Sequence, residues 1–264
     1  MTDRDLEHRH LAACAIAREA GQIARDYFER REQLVIEHKG MQDLVSVADR
    51  AVEDLIRERL SAAFPDDALI GEEGGGEGVE GAAGTWVIDP VDGTMNFLRG
   101  VPYWSVAIAY VRGRTTEIGV TYDPVHDDLF AARRGVGAQC NGTPIRVSGT
   151  DDPVRAVLGH TFSFKMEIQP YVRTLGTLLE LGADHRRLGS TALMMCHVAD
   201  GRLDGCVTLR CSSWDVIGGL LLVREAGGVA SDYLDHAGLM EPASVFGCTP
   251  ALQAPIERAS GLRL

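Results

Sequence analysis

The chain has 264 residues and a formal charge of −12, from 26 Lys and Arg against 38 Asp and Glu, with 45% hydrophobic residues. That length can bury a sizeable core, the composition is that of an ordinary globular protein, and the acidic excess argues against general binding to phosphate backbones. The six cysteines form no C-x-x-C pair, the N-terminus lacks an apolar signal core, and no stretch has the length and apolarity of a membrane span. A cytoplasmic protein with reduced thiols is therefore expected.

Leu6, Ala13, Ala17, Ala20, Ile23, Ala24 and Tyr27 recur at helical spacing and predict an amphipathic helix over 5–30. A second helix is expected from Ser46 to Ala63, with Val52, Leu55, Ile56 and Leu60 as its buried stripe and Pro65 beyond its end. The run GEEGGGEGVEGAAG at 71–84 reads as a flexible loop. Thr85–Ile88 reads as a buried strand that DPVDGT at 89–94 ends abruptly. Strands are expected at 103–111, 117–122 and 128–132, then a glycine-rich corner at 135–148. Beyond residue 151 the pattern gives a strand over 154–161, helices over 165–181 and 190–200, and a strand over 203–209. An apolar helix from Trp214 to Ala226 follows, closed by Gly227 and Gly228. The alternation belongs to a layered α/β or α+β fold. Residues 1–150 would form an N-terminal α+β half and 151–264 a C-terminal α/β half of one compact unit.

The hexapeptide at 89–94 carries the strongest chemical signal. Asp89 and Asp92 straddle a turn, and the Val91 carbonyl, released from a ladder, is a third oxygen donor. Carboxylates, a carbonyl and water are the ligands Mg²⁺ selects. Gly93 and Thr94 begin a helical turn whose amides suit an anion such as phosphate. Cation ligands beside an anion nest equip a chain for phosphoryl transfer, although D-P and D-G alone are ordinary turn dipeptides. Glu72 and Glu73 read as acids of a solvated loop or as a reach toward the metal. Asp215, after Trp214, reads as a first-turn helix acid or as a further ligand. Spacing leaves both choices open. In KGMQDLVSVAD at 39–49, Lys39, Asp43 and Asp49 read as a loop lysine and helix-start acids. Alternatively Lys39 neutralises phosphate and Asp49 orients Thr94, whose hydroxyl orients the attacking water. His160, His185 and His197 have no partner at ligand spacing and are expected in satisfied structural roles. Neither a G-x-S-x-G elbow nor a G-x-x-x-x-G-K-[ST] loop occurs.

WVIDPVDGTMNF at 86–97 resembles the first signature of the inositol monophosphatase family, and WDVIGGLLLVREAGG at 214–228 its second. GEE at 71–73, KGMQDLVSVAD at 39–49, YDPVHDDLFAARRGVGAQCNGTPIRVS at 122–148 and GSTALMMCHVADGRLDG at 189–205 match family blocks in the same order. The resemblance implies a layered αβαβα fold of the α+β class, a homodimer, and Mg²⁺-dependent, Li⁺-sensitive hydrolysis of a small phosphate monoester. Carried onto this sequence, Glu72, Asp89 and the Val91 carbonyl hold one metal, and Asp89, Asp92 and Asp215 a second, with two or three Mg²⁺ per site. Thr94, supported by Asp49, positions the nucleophilic water, and Glu72 holds the metals that lower its pKa. Gly93 and Thr94 bind phosphate, Lys39 neutralises it, and Gly189, Ser190 and Thr191 line the polyol beside Asp92 and Asp215. The N-terminal half thus carries most metal ligands, and the C-terminal half carries Asp215 and the substrate-lining residues. Neither a membrane nor a direct nucleic-acid partner is implied. Some bacterial relatives act as partners in transcription complexes, so a regulatory binding protein is the alternative.

Inositol-specific members carry a glutamate seven residues before the aspartate of the W-D pair, and here that position is Thr208. A shorter, neutral side chain forfeits a charge-assisted contact worth about 1.5–3 kcal/mol. Nearby Arg210 adds positive charge, suited to a carboxylate or second phosphate on the substrate, or to a surface acid. Histidinol phosphate, fructose 1,6-bisphosphate and 3′-phosphonucleotides therefore stand beside inositol phosphate as candidate substrates.

Overall fold

The computed structural model describes residues 2–33, 36–40, 43–77 and 82–264, with the backbone alone at 33, 36–40, 43–46 and 77. Helix α1 (Asp3–Glu29) opens with a capping box between Thr2 and Asp5 and buries a stripe of small residues, Ala13, Ala17, Ala20 and Ala24. The stripe lets α1 lie close to the sheet beneath it. Strands β1 (Ile36–Gly40) and β2 (Asp43–Ser46) pair antiparallel ahead of α2 (Val47–Ala63). Helix α2 buries Val52, Ile56 and Leu60 and, among them, a carboxylate, Glu53.

The chain then builds a sheet of eight strands. They are β3 (Ala68–Gly71), β4 (Gly75–Glu77) and β5 (Thr85–Asp92), then, after the short helix α3 (Thr94–Arg99), β6 (Ser105–Arg112), β7 (Thr115–Asp123), β8 (Asp128–Arg133), β9 (Gly137–Cys140) and β10 (Thr143–Pro144). Their order is β10-β9-β8-β7-β6-β5-β3-β4, and only β3 and β5 run parallel. The second half adds β11 (Val157–Thr161), α4 (Ile168–Glu180), β12 (Asp184–Arg186), α5 (Thr191–Ala199), β13 (Gly205–Cys211) and α6 (Ser213–Glu225). It ends with β14 (Val229–Ala230), α7 (Tyr233–His236), β15 (Ala243–Cys248) and α8 (Gln253–Ser260). Its five strands are ordered β12-β11-β13-β15-β14.

Three apolar clusters define the layers. One joins α1 and α2 to a face of the larger sheet through Ile16, Val52, Ile56, Trp86, Val106 and Tyr110. A second joins α5 and α6 to both sheets. A third packs α4 and α8 on the far face of the smaller sheet through Leu178, Val207, Phe246 and Ile256. The result is the layered αβαβα arrangement expected from the sequence. Helix α6 is apolar on all sides because it lies between two sheets. Its backbone touches β7: a Cβ on Gly119 would fall 2.4 Å from the Gly218 carbonyl oxygen. Among the described residues no helix is long and apolar enough to cross a membrane.

Several expectations need correction. The strand expected to stop at Ile88 continues to Asp92. Part of the glycine-rich run is ordered, because Gly75–Glu77 pairs with β3; residues 78–81 lie outside the described residues. The strand over 154–161 starts only at Val157, since Pro153 initiates a 3₁₀ turn instead. Strands β3, β12 and β15 and helix α8 were not foreseen, being short runs without a full period of pattern.

Candidate active site

Regular alternation sends residues three apart to opposite faces of a strand. In β5, Asp89 pairs with Ala107 of β6 and Asp92 with Ser105, so three steps along β5 match two along β6. The extra residue is a β-bulge at Pro90–Val91, where proline has no N–H to lose from the ladder. It returns both carboxylates to one side. Gly93 follows with φ +97°, capping α3. A Cβ there would stand 3.2 Å from the carbonyl oxygens of both Gly189 and Tyr103, so glycine is required twice over. The first amides of α3 are not consumed by the helix itself, and Gly93, Thr94 and Met95 line the cavity described below.

Glu72 arrives from β3. The parallel register places Gly71 beside Ile88, and the Glu72 amide donates to the Ile88 carbonyl at 3.3 Å. The turn is clamped by Glu53 of α2, a residue the sequence reading passed over. The Glu53 carboxylate accepts from the amides of Glu73 and Gly74, both at 2.8 Å, and from Arg57 Nε at 2.8 Å. Arg57 in turn donates to the Gly75 carbonyl at 2.6 Å. A Cβ on Gly71 would lie 2.2 Å from the Glu53 carboxylate, so the glycine makes room for the clamp. The available signal was a carboxylate inside the apolar stripe of α2, four residues before an arginine.

Thr94 Oγ1 donates to the Val91 carbonyl at 3.1 Å and lies 3.4 Å from Asp49 Oδ1. Asp49 is buried in the first turn of α2. Asp215 accepts from the Ser212 amide at 2.7 Å in a capping box, so it is a first-turn acid and faces the cavity at once. Asp92 reaches across to the second half. It accepts from the amides of Thr191 at 3.2 Å and Ala192 at 2.7 Å, and from the Ser190 hydroxyl. It therefore sits at the positive end of α5.

These carboxylates repel one another. Burial, then the charges of Glu72, Asp92, Asp215 and Asp49, push Asp89 well above the usual carboxylate range. Burial lifts Asp92 to about 6 against the hydrogen bonds from Ser190, Ala192 and Thr191. Burial and the Asp92 charge lift Asp215 to about 7. Burial, joined at Asp89 and Asp215 by neighbouring negative charge, thus raises three of these acids, and a divalent ion would reverse the penalty. As their side chains stand, the described residues do not close three ligands into a chelate. The fit therefore rests on the donor chemistry: hard oxygen ligands plus the Val91 carbonyl suit Mg²⁺, with water completing the shell.

Glu72, Asp92 and Asp215 open onto a cavity of about 760 Å³. Gly189 and Thr191 line it. Ser190 does not: it is fully buried, its hydroxyl is spent on Asp92, and it caps α5 by accepting from Leu193 at 3.3 Å. Thr208 is also buried, donating to the Arg210 carbonyl at 3.2 Å, and does not line the cavity. Arg210 does, because a second bulge on β13 between Thr208 and Cys211 re-aims the strand. The side chains of Lys39 and Asp43 lie outside the described residues. Asn96, also overlooked, donates to the carbonyls of Tyr103 and Leu188, both at 2.7 Å, and fixes the Gly189 turn to α3. Of the three histidines expected in satisfied roles, His197 is satisfied, whereas His185 Nε2 has no hydrogen-bond partner among the described residues. His197 bonds the Tyr103 hydroxyl at 3.1 Å, but neither ring nitrogen of buried His160 has a hydrogen-bond partner among the described residues.

The family model described as the inositol monophosphatase family matches residues 5–256. Nus factor SuhB of Pasteurella multocida is 42% identical over 224 residues, 84% of each chain. Nus factor SuhB of Escherichia coli K12 is 38% identical over 242 residues, 90% of each chain. Among solved structures, extragenic suppressor protein suhB from Bartonella henselae superposes with a TM-score of 0.89 at 30% identity, covering 96% of this chain and 98% of that one. Inositol monophosphatase from Anabaena superposes with a TM-score of 0.84 at 30% identity, covering 97% and 96%.

Proposed function

Since this chain belongs to the inositol monophosphatase family, we propose that it is a Mg²⁺-dependent phosphomonoesterase that hydrolyses a small polyol or sugar phosphate with water. The observation that carries this reading is buried Asp89 surrounded by Glu72, Asp92, Asp215 and Asp49 beside the α3 N-terminus. Glu72, Asp89, the Val91 carbonyl, Asp92 and Asp215 would hold two or three Mg²⁺. Bound there, the ions supply charge neutralisation at the phosphoryl oxygens and lower the pKa of water.

The remaining work falls to the chain. Amides at Gly93 and Thr94 hold the phosphate oxygens. The Thr94 hydroxyl gives its proton toward Val91 and Asp49, so its lone pairs are left to accept from the attacking water and aim its oxygen at phosphorus. The P–O ester bond opposite breaks, the departing oxygen takes up a proton in place of the one water gives up, and the alcohol and inorganic phosphate leave. No covalent phosphoenzyme is needed. Gly189 and Thr191 border the alcohol, and Lys39 is assigned to phosphate. The working protein is taken as a cytoplasmic homodimer. The test is phosphate release by purified protein with and without Mg²⁺ and Li⁺. Turnover that survives metal removal would sink the reading.

The name Nus factor borne by the relatives favours a second role, a regulatory binding protein on the same scaffold. An Asp89→Asn variant that restores the phenotype of a deletion strain supports that role. Failure to restore it supports the phosphatase alone.

A further inference from the structure

Two turns that border the cavity come from different halves of the chain. Gly93 and Thr94 open α3 in the first half, and Gly189 leads into α5 in the second. The side chain of Asn96 joins them. Its amide nitrogen donates to the Tyr103 carbonyl and to the Leu188 carbonyl, each at 2.7 Å. Two acceptors require two hydrogens on that atom, so the nitrogen and oxygen of the amide cannot be exchanged and an aspartate could not take its place. The main-chain carbonyl of Asn96 accepts from the Val101 amide at 2.8 Å, which fixes the residue from its other side.

The segments that Asn96 joins are those that close around Gly93, whose neighbours are the carbonyls of Tyr103 and Gly189. Gly189 has φ +92°, and a Cβ there would fall 2.7 Å from Asn96 Nδ2, so this glycine leaves the room that the amide fills. Tyr103 is held at its other end too. Its hydroxyl meets His197 Nδ1 at 3.1 Å, and His197 Nε2 meets Arg202 Nη1 at 3.2 Å. A guanidinium only donates, so Nε2 accepts and Nδ1 carries the proton that goes to the Tyr103 hydroxyl. His197 stands in the last turn of α5, the helix whose first amides hold Asp92. Asn96 at one end and His197 at the other thus tie Tyr103 to the second half.

We propose that Asn96 is a positioning residue: it holds the Gly93–Thr94 turn against the Gly189–Thr191 turn, and phosphate binding depends on that alignment. The proposal rests on the assignment of phosphate to Gly93 and Thr94 in the phosphatase reading above. Asn96 borders the cavity, but both of its donors are spent on the two carbonyls, so it acts through the turns. Without the amide, the Tyr103 and Leu188 carbonyls lose their shared donor and present their negative ends to each other. The junction opens, and Gly93 loses the neighbours that fix its left-handed conformation. The amides at Gly93 and Thr94 then no longer converge on one anion.

The test measures calorimetric binding of inorganic phosphate to the full chain at saturating Mg²⁺, beside phosphate release from myo-inositol 1-phosphate. Asn96→Leu keeps a side chain of similar size and removes both donors. Phosphate should bind about tenfold more weakly, and KM should rise with it while kcat falls less, because the turn grips phosphate in ground and transition states alike. Asp204→Asn is the control for stability. It weakens a link between the halves away from the cavity, where Asp204 accepts from the Ser148 hydroxyl at 2.5 Å and the Val157 amide at 2.7 Å. It should lower the melting temperature and leave phosphate affinity unchanged. Affinity within about twofold of the wild type in Asn96→Leu, or a loss matched by Asp204→Asn, overturns the proposal. If Asn96→Leu does not fold, Gly189→Ala sets a methyl against the amide instead, with Gly113→Ala, at φ +59° in open space, as the control for backbone strain. Weaker phosphate binding in Gly189→Ala alone supports the junction, and equal binding in both overturns it. Phosphate binding that needs Asn96, in a protein that hydrolyses no monoester, keeps the junction and overturns the phosphatase. A wild type that neither binds nor releases phosphate overturns both.

Discussion

The carboxylates lining the cavity have built-in supports: Asp92 accepts from amides of α5, Asp215 from the Ser212 amide, and the turn that carries Glu72 is held by the Glu53 side chain. On the same cavity Arg187 and Arg210 are exposed and held by no hydrogen bond among the described residues. The floor is preorganised by these supports. The wall can be altered residue by residue. A scaffold divided in this way can keep one chemistry while changing the molecule it acts on.

Asp89→Asn should have the largest effect. Loss of several kcal/mol of charge neutralisation predicts a fall in kcat of about a thousandfold or more, read by phosphate release. The metal-free variant should melt no lower than the wild type, because a buried carboxylate among like charges has been removed. A large fall in melting temperature would show that Asp89 is structural instead. Glu53→Gln comes next. Breaking its pair with Arg57 and weakening its hold on Glu73 and Gly74 should cost about 3 kcal/mol in a denaturation midpoint. Phosphate release should fall with it. A variant of normal stability and activity would show the clamp to be dispensable.

The third contrast uses protons. Asp92 near 6 and Asp215 near 7 hold protons in the folded metal-free protein that the unfolded chain has already released. Their raised values therefore favour the metal-free fold at low pH, and that contribution is lost as pH rises from about 4 to 7. His160 and His197, both near 4, act with the opposite sign between about 4 and 6.5. The clean readout is the difference that Mg²⁺ makes. The rise in melting temperature on adding Mg²⁺ should grow from pH 5.5 to 8, since metal must displace those protons. A pH-independent rise would place the metal elsewhere. The smallest effect is expected of Ser190→Ala. It loses one cap and one bond to Asp92, about 1 kcal/mol by thermal melting, with substrate KM little changed. A large change in KM would return Ser190 to the substrate.

Much of the floor was legible because its residue types are rare together. Asp89, Val91, Asp92, Gly93 and Thr94 are contiguous, and the apolar helix after Trp214 is equally plain in one dimension. What escaped depended on partners distant in the chain. The bulge in β5 exists only in its register with β6. Glu53 resembled any helical acid until the turn after β3 folded onto it. The wall of Phe162, Phe164, Arg187 and Arg210 is assembled from three separate segments, so no local pattern announces it. Ser190 and Thr208 were placed on the substrate by position in a motif, and burial assigns them to support.

The bulge at Pro90–Val91 also makes the spacing of the two aspartates a matter of parity. A strand counts residues as odd or even, and carboxylates separated by an odd number of steps share a face only if one step goes uncounted. Removing Val91 would leave the aspartates two apart, on one face by plain alternation and in the same register with β6, yet it would remove the bulge and the carbonyl that accepts from Thr94. For this hexapeptide, length is as much a part of the chemistry as identity: a chain that keeps both acids but shortens the interval by one keeps their common face and loses the extra carbonyl between them.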